Sequence, residues 1–85
     1  MSVKAIYFAW VRERIGKGDE ALSPPASVIT IADLITWLSA QGEGYAHAFE
    51  NPKTIRAAID RAHVKHDAPI AGAREIAFFP PMTGG

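Results

Sequence analysis

Apolar residues recur along this chain with two different periods, which indicates a domain that contains both a helix and strands. The spacing of one face of an amphipathic helix is occupied by Ile31, Leu34, Ile35 and Leu38. Thr30 is suited to cap the start of this helix, and the charge of Asp33 in its first turn suits the helix dipole. We expect the helix to end near Gln41 with Gly42 as its C-cap, and a weaker helical turn at residues 45–49.

β-Branched and aromatic residues, or alternation of apolar and polar ones, mark the predicted strands. They are expected at residues 3–10, 19–23, 55–60, 63–64 and 75–79. Residues 11–18 are polar and contain glycines, which predicts a short helical turn and a loop. One main helix can cover only one face of one sheet, so the order of elements predicts an α+β roll.

The polar residues of the first and last strands predict which sheet face is exposed. If these strands are neighbours, Lys4 and Glu75 mark the face away from the helix. Ile6, Phe8 and Phe79 then form an apolar patch on that face, and such patches commonly bind protein partners. The residues expected to face the helix are Val3, Ala5, Tyr7, Ile76 and Phe78.

Composition limits the classes of function. The 85 residues suit a single domain, residues 1–85, with 80–85 as an extended tail. Nine Lys and Arg residues balance nine Asp and Glu residues, which argues against nucleic acid or an anionic membrane as the main partner. The absence of cysteine excludes disulfides and thiolate metal sites. Neither a signal peptide nor an apolar membrane span is visible, so we expect a cytoplasmic protein.

The C-terminal segment carries the candidate chemistry. Pro80 and Pro81 favour an extended arm, and residues 81–85 would reach about 15 Å at ~3.3 Å per residue. Gly84 and Gly85 lack a Cβ atom and therefore fit a narrow channel. The carboxylate of Gly85 is a poor electrophile that needs activation, for example as an acyl-adenylate, before a sulfur or amine nucleophile attacks.

The side chains offer no competing catalytic arrangement. The spacing of His63 and His66 lacks the further ligands of a metal site, and we interpret both as solvated histidines. No serine lies in a nucleophile elbow, and no pair of carboxylates is placed in a predicted pocket. An autonomous small enzyme is therefore not expected.

Both ends of the chain resemble the MoaD family, the small sulfur-carrier subunit of molybdopterin synthase. The resemblance rests on Phe78-Phe79-Pro80-Pro81-Met82-Thr83-Gly84-Gly85, and on Tyr7-Phe8-Ala9 followed by Val11-Arg12-Glu13 and Ile15-Gly16. These segments make up about a fifth of the chain. Two departures stand out, because many members of the family have Asn at Asp60 and a smaller or branched residue at Met82.

The resemblance implies a ubiquitin-like β-grasp fold, with a mixed sheet of four to five strands on one main helix. It implies a non-catalytic carrier that binds no cofactor itself and forms a heterotetramer with the large synthase subunit. An E1-like adenylyltransferase would use ATP to adenylate Gly85, which then becomes a thiocarboxylate and donates sulfur to precursor Z in the large subunit. The resemblance assigns partner binding to Phe8, Arg12, Phe79, Pro80, Pro81, Met82, Thr83 and Gly84.

Two related functions remain as alternatives at this point. A sulfur carrier of thiamin thiazole synthesis shares the Gly-Gly terminus, although it is usually shorter and lacks Phe-Phe-Pro-Pro. A ubiquitin-like modifier would share the tail and its activation, but it would end attached to a lysine by an isopeptide bond. A plain binding module with an incidental Gly-Gly is the fourth reading.

Overall fold

The computed structural model describes residues 2–81, which form one mixed sheet and three α-helices. The elements in chain order are β1 (Val3–Tyr7), α1 (Ala9–Ile15), β2 (Asp19–Leu22), α2 (Ile31–Ser39), α3 (Glu43–Ala48), a 3-10 turn (Pro52–Thr54), β3 (Arg56–Ile59), β4 (Ala62–Val64) and β5 (Glu75–Phe79). The strand order is β2-β1-β5-β3-β4. β1 and β5 are parallel neighbours at the centre, as the face assignment assumed, and the other pairs are antiparallel.

The start of α2 agrees with the sequence prediction. The Thr30 hydroxyl accepts a hydrogen bond from the Asp33 N–H at 3.2 Å, and the Asp33 carboxylate accepts one from the Thr30 N–H at 3.1 Å. This reciprocal pair is a capping box. Hydrogen bonds from the backbone N–H groups of Ile29 and Thr30 lower the pKa of Asp33. The predicted end was wrong, because the helix stops at Ser39 and Gly42 is instead the residue before α3.

The first strand is shorter than predicted. β1 ends at Tyr7. The residues that follow Phe8 turn into a helix because Ala9 adopts a left-handed φ of 52°.

 The carbonyl of Phe8 then accepts hydrogen bonds from the N–H groups of Val11 and Arg12 at 3.1 and 3.3 Å, which starts α1. Trp10, predicted in the strand, therefore lies on this helix. The residues predicted as a turn and loop are helical as far as Ile15.

One apolar core lies between the sheet and the helices. All five residues predicted to face the helix are buried, and so are the four apolar residues of the α2 face. Phe78 is fully buried and stacks on Tyr7 with ring centroids 6.3 Å apart. Phe49, which directly follows α3, packs edge-on against Phe78 at 5.4 Å. The weaker helical turn of the sequence is thus a helix that contributes to the core.

A polar cluster fastens α3 to the edge of this core. Oε2 of Glu20 accepts hydrogen bonds from the hydroxyl groups of Tyr7 at 2.8 Å and Tyr45 at 2.6 Å, and Nζ of Lys17 lies 3.4 Å from Oε1. Burial raises the pKa of Glu20, but the two tyrosine hydrogen bonds and Lys17 outweigh burial and hold that pKa below its ordinary value. Burial also raises the pKa of Tyr7, and the carboxylate acts in the same direction. The cluster joins β1, β2 and α3.

Within the part of the chain that the structure describes, no helix has the length and apolar character needed to cross a membrane.

Candidate functional site

The predicted arm leaves the sheet from one of its central strands. β5 lies between β1 and β3, so its last residue, Phe79, is held by neighbours on both sides. Arg56 is the residue directly opposite Phe79 on β3. Pro80 and Pro81 follow and are half-buried. The rest of the predicted tail lies outside the described residues: Met82, Thr83, Gly84 and Gly85. The fold therefore supplies a firmly anchored root for the arm.

The sheet face away from the helices carries the predicted apolar patch. Ile6 pairs with Ala77 in the register of β1 and β5, and both are half-buried on this face. Phe8 continues the extended backbone of β1, and its N–H donates to the Phe78 carbonyl at 3.1 Å. The Phe8 side chain is 47% exposed. The predicted face of Ile6 and Phe79 agrees with the structure, and partner binding by this face stays a prediction.

A histidine that the sequence interpretation set aside extends this patch. His63 is exposed, and its ring lies 5.2 Å from the ring of Phe79, centroid to centroid. The two residues are on strands separated by β3, where the small Ala58 stands opposite both His63 and Ala77. The short Ala58 side chain leaves room for the rings to meet above it. The interpretation of His63 as a solvent-exposed histidine agrees with the structure. Its contact with Phe79 was not predicted, because it depends on the register of three strands.

The other histidine of the pair is not a free surface residue, so interpreting it as solvated was wrong. His66 is half-buried, and its Nε2 lies 2.7 Å from the Ile55 carbonyl oxygen. A carbonyl oxygen can only accept, so this nitrogen carries the hydrogen. Among residues 2–81 no group of three or more His, Asp or Glu side chains is arranged to hold a metal ion.

A groove of about 510 Å³ runs along the helical side of the arm's root. Its lining includes Pro80 and Pro81 on one side and Trp10 and Arg14 of α1 on the other. The Arg14 guanidinium lies 4.4 Å from the Trp10 ring centroid, and its Nη1 lies 3.7 Å from Oε1 of Glu50. A cation over an indole face and an ion pair together restrict this side chain. The root of the arm therefore lies beside the Trp10 and Arg14 side chains of α1.

Arg12, which the resemblance assigned to partner binding, lies one helical turn after Phe8 and is exposed. Its guanidinium packs over Gly18, where an added Cβ would be 3.3 Å from Cζ of Arg12. This contact holds the guanidinium against the loop between α1 and β2. Its predicted role in docking stays a prediction.

The described residues present the apolar patch and the root of the arm. Docking by this surface stays a prediction, and so does the reacting group at Gly85, which lies outside the described residues. Comparison of the sequence with family models identifies the family of the chain. The family model described as the ThiS family matches residues 5–85.

Relatives of known name are similar over nearly the whole chain. The molybdopterin synthase sulfur carrier subunit of Escherichia coli is 37% identical over 83 residues, which covers 98% of this chain and 99% of that protein. The protein of the same name from Mycosarcoma maydis is 34% identical over 88 residues, covering 99% of this chain and 94% of the relative.

Solved structures show the same fold. SAMP1 from Haloferax volcanii has a TM-score of 0.72 at 21% identity, covering 100% of both chains. A Pyrococcus furiosus protein assigned as a candidate molybdopterin converting factor, subunit 1, has a TM-score of 0.74 at 21% identity, covering 96% of this chain and 99% of its own. The expected ubiquitin-like β-grasp fold is thereby confirmed. The chain belongs to the ThiS family and is similar over nearly its whole length to molybdopterin synthase sulfur carrier subunits.

Proposed function

We propose that this chain is the sulfur-carrier subunit of a molybdopterin synthase. The observation that carries the proposal is the similarity, from end to end, to proteins that bear this name. The relatives' name describes a subunit, so the chain is expected to act inside a complex with the large synthase subunit. The anchored root at Phe79 and the half-buried Pro80-Pro81 step support this proposal, because they would aim a short arm away from the globule.

Gly85 would carry the sulfur as a terminal thiocarboxylate. In the first step, a carboxylate oxygen of Gly85 attacks the α-phosphorus of ATP on an E1-like adenylyltransferase, and pyrophosphate leaves. Hydrosulfide then attacks the acyl carbon and AMP leaves, which gives the thiocarboxylate directly. If a persulfide delivers the sulfur instead, a second thiol must reduce the resulting acyl disulfide and leave as a disulfide with the donor. The chain supplies no cysteine for this exchange, so the sulfur donor must be another molecule.

The arm with its terminal thiocarboxylate would then enter the large subunit. There it would donate its sulfur to precursor Z, which builds the dithiolene of molybdopterin. The docking surface proposed for this step contains Phe8, Arg12, Phe79, Pro80 and Pro81, with Met82, Thr83 and Gly84 threading the partner's channel. Residues that bind the precursor would belong to the large subunit. Water would attack the Gly85 acyl carbon as its bond to the transferred sulfur breaks, so each transfer would return Gly85 to a carboxylate that can be activated again.

Intact mass spectrometry tests the carrier role. The chain is incubated with its adenylyltransferase, ATP and a sulfur source, and the proposal predicts the mass increase for replacement of one oxygen by sulfur. Deletion of Gly85, or addition of one residue after it, should abolish the increase while circular dichroism shows an intact fold. An unmodified wild-type chain, under conditions that charge a known carrier, would refute the proposal.

The same preparation separates the alternative functions. Capture of the large synthase subunit supports the molybdopterin pathway, whereas capture of a thiazole synthase would move the chain to thiamin synthesis. A protein modifier would instead appear as a conjugate with a Gly85–lysine isopeptide bond, which resists thiol reagents and hydroxylamine.

A further inference from the structure

A second, strongly basic groove lies at the edge of the sheet. It has a volume of about 280 Å³ and lies where the 3-10 turn leads into β3 and where β4 ends. Its lining residues are Lys53, Ile55, Arg56, Val64, Lys65 and His66. We name it the basic groove. Three of these residues are cations and none is an acid, although the whole chain has equal numbers of both.

The cations of the basic groove are not neutralised within the described structure. The ion pairs among residues 2–81 join Arg14 to Glu50 and Lys17 to Glu20, so none of them involves a cation of the groove. All three cations are exposed. The positive charge is therefore available to a partner.

The floor of the basic groove is apolar. Ile55 is buried, and its carbonyl accepts the hydrogen bond from His66 that fixes the imidazole ring in the groove wall. Val64 is half-buried beside them. Carboxylates that reach the cations above this floor would lose part of their contact with water, which strengthens each ion pair.

The basic groove adjoins the root of the arm. Arg56 stands directly opposite Phe79 in the pairing of β3 with β5, so the two side chains lie on the same face of the sheet. A protein that covers Phe79 and receives the arm would also reach Arg56. The groove thus continues the docking surface instead of forming a separate site.

We propose that the basic groove binds an acidic segment of the large synthase subunit, an inference that rests on the proposed function. Aspartate or glutamate side chains of that segment would pair with Lys53, Arg56 and Lys65 while the apolar patch docks. Complementary charge of this kind accelerates association and fixes the orientation of two surfaces. It would align the arm with its channel. We assign the segment to the large subunit, and not to the activating protein, because the relatives' name makes the carrier a standing component of the synthase.

The test uses two matched pairs of charge reversals in the full-length chain. Lys53→Glu combined with Lys65→Glu changes the basic groove outside the strands. Arg61→Glu combined with Arg74→Glu changes the net charge equally, but these exposed residues lie around Asp60 and Glu75, at the end of the sheet far from Phe79. Thermal unfolding first verifies that both double variants are folded. Binding of the cognate large subunit is then measured by surface plasmon resonance.

We expect the groove variant to bind at least ~10-fold more weakly at an ionic strength of about 0.05 M, mainly through a slower association rate. The difference should shrink at about 0.5 M salt, since the Debye length falls to a few ångströms. The control variant should stay within about 2-fold of the wild type. Equal affinities for the two double variants would overturn the inference.

A loss of activation by the adenylyltransferase, with unchanged affinity for the large subunit, would also overturn it, because the groove would then serve the activating protein. The intact-mass experiment on the wild-type chain tests the proposed function separately. The chain could acquire the thiocarboxylate and bind the large subunit with an affinity that does not depend on the basic groove. That result would refute only this inference and would leave the carrier role supported.

Discussion

Substitutions at two adjacent phenylalanines should affect different properties: one the stability of the fold and the other the binding of a partner. Phe78 and Phe79 point to opposite faces of β5, because successive side chains of a strand alternate. Phe78 is 0% exposed and contacts the rings of Tyr7 and Phe49. Phe79 is half-buried and contacts the exposed His63. The substitutions Phe78→Ala and Phe79→Ala remove the same atoms from these two environments.

The structure gives different magnitudes for the two changes. Replacing a fully buried Phe by Ala lowers the free energy of unfolding by about 3–5 kcal/mol. At ~0.05–0.15 kcal/mol per residue, the whole domain has about 4–13 kcal/mol, so Phe78→Ala removes a large share of its stability. Phe79→Ala should lower stability by about 1 kcal/mol or less, because its ring is only half-buried. It should nevertheless weaken binding of the large subunit by about 10-fold or more, the range of an aromatic interface anchor.

Urea denaturation followed by the fluorescence of Trp10 and Trp37 measures the stability of both variants. Titration calorimetry with the large subunit measures the affinity of Phe79→Ala. Phe78→Leu, which retains more apolar volume, provides a folded reference if Phe78→Ala does not fold. The reasoning is refuted if Phe79→Ala destabilises the domain as much as Phe78→Ala, or if it binds the large subunit with unchanged affinity.

Two further predictions concern contacts that stabilise the helices. Gly44→Ala should lower the free energy of unfolding by about 1–3 kcal/mol, since a Cβ there would lie 2.8 Å from the Arg14 carbonyl oxygen. The opposite sign, a gain of up to about 1 kcal/mol from the better helix propensity of Ala, would show that α1 and α3 can separate without loss. Glu20→Gln should lower stability by about 1 kcal/mol at neutral pH, because it weakens the hydrogen bonds from Tyr7 and Tyr45. The folded pKa of Glu20 is depressed, so its contribution is complete above the ordinary value of 4.5 and is lost as the pH falls through the folded value. Denaturation between pH 7 and 3 should therefore show the wild type and Glu20→Gln converging in acid, and a constant difference would contradict this assignment.

The tail and the docking surface depend on structure to different degrees. The Phe-Phe-Pro-Pro run and the terminal glycines are local sequence features, so the family resemblance and the chemistry expected at Gly85 could be stated without coordinates. The proposed docking surface depends on how the strands of the sheet are ordered and paired. The order β5-β3-β4 and the register of those strands bring together Phe79, His63 and Arg56.

The periodicity of apolar residues was sufficient to predict features that depend on a single helix or strand. The α2 face, its capping box and the alternation of β5 follow from residues three or four apart in a helix and two apart in a strand. The inner and outer faces of β1 and β5 could also be predicted, because Lys4 and Glu75 mark the exposed side. No local sequence signal marks the end of β1. There the left-handed Ala9 turns an apolar segment, which continues beyond the strand, into α1.

The sequence by itself determined the α+β class, the main helix, the buried face of the central strands and the family to which the chain belongs. Only the tertiary structure decided which distant residues surround the root of the arm. His63 reaches Phe79 because β3 places a small Ala58 between them, and the basic groove forms because the 3-10 turn and the end of β4 meet at the sheet edge. Such proximities arise from strand pairing and loop closure between residues far apart in the chain, and no periodicity in one segment encodes them.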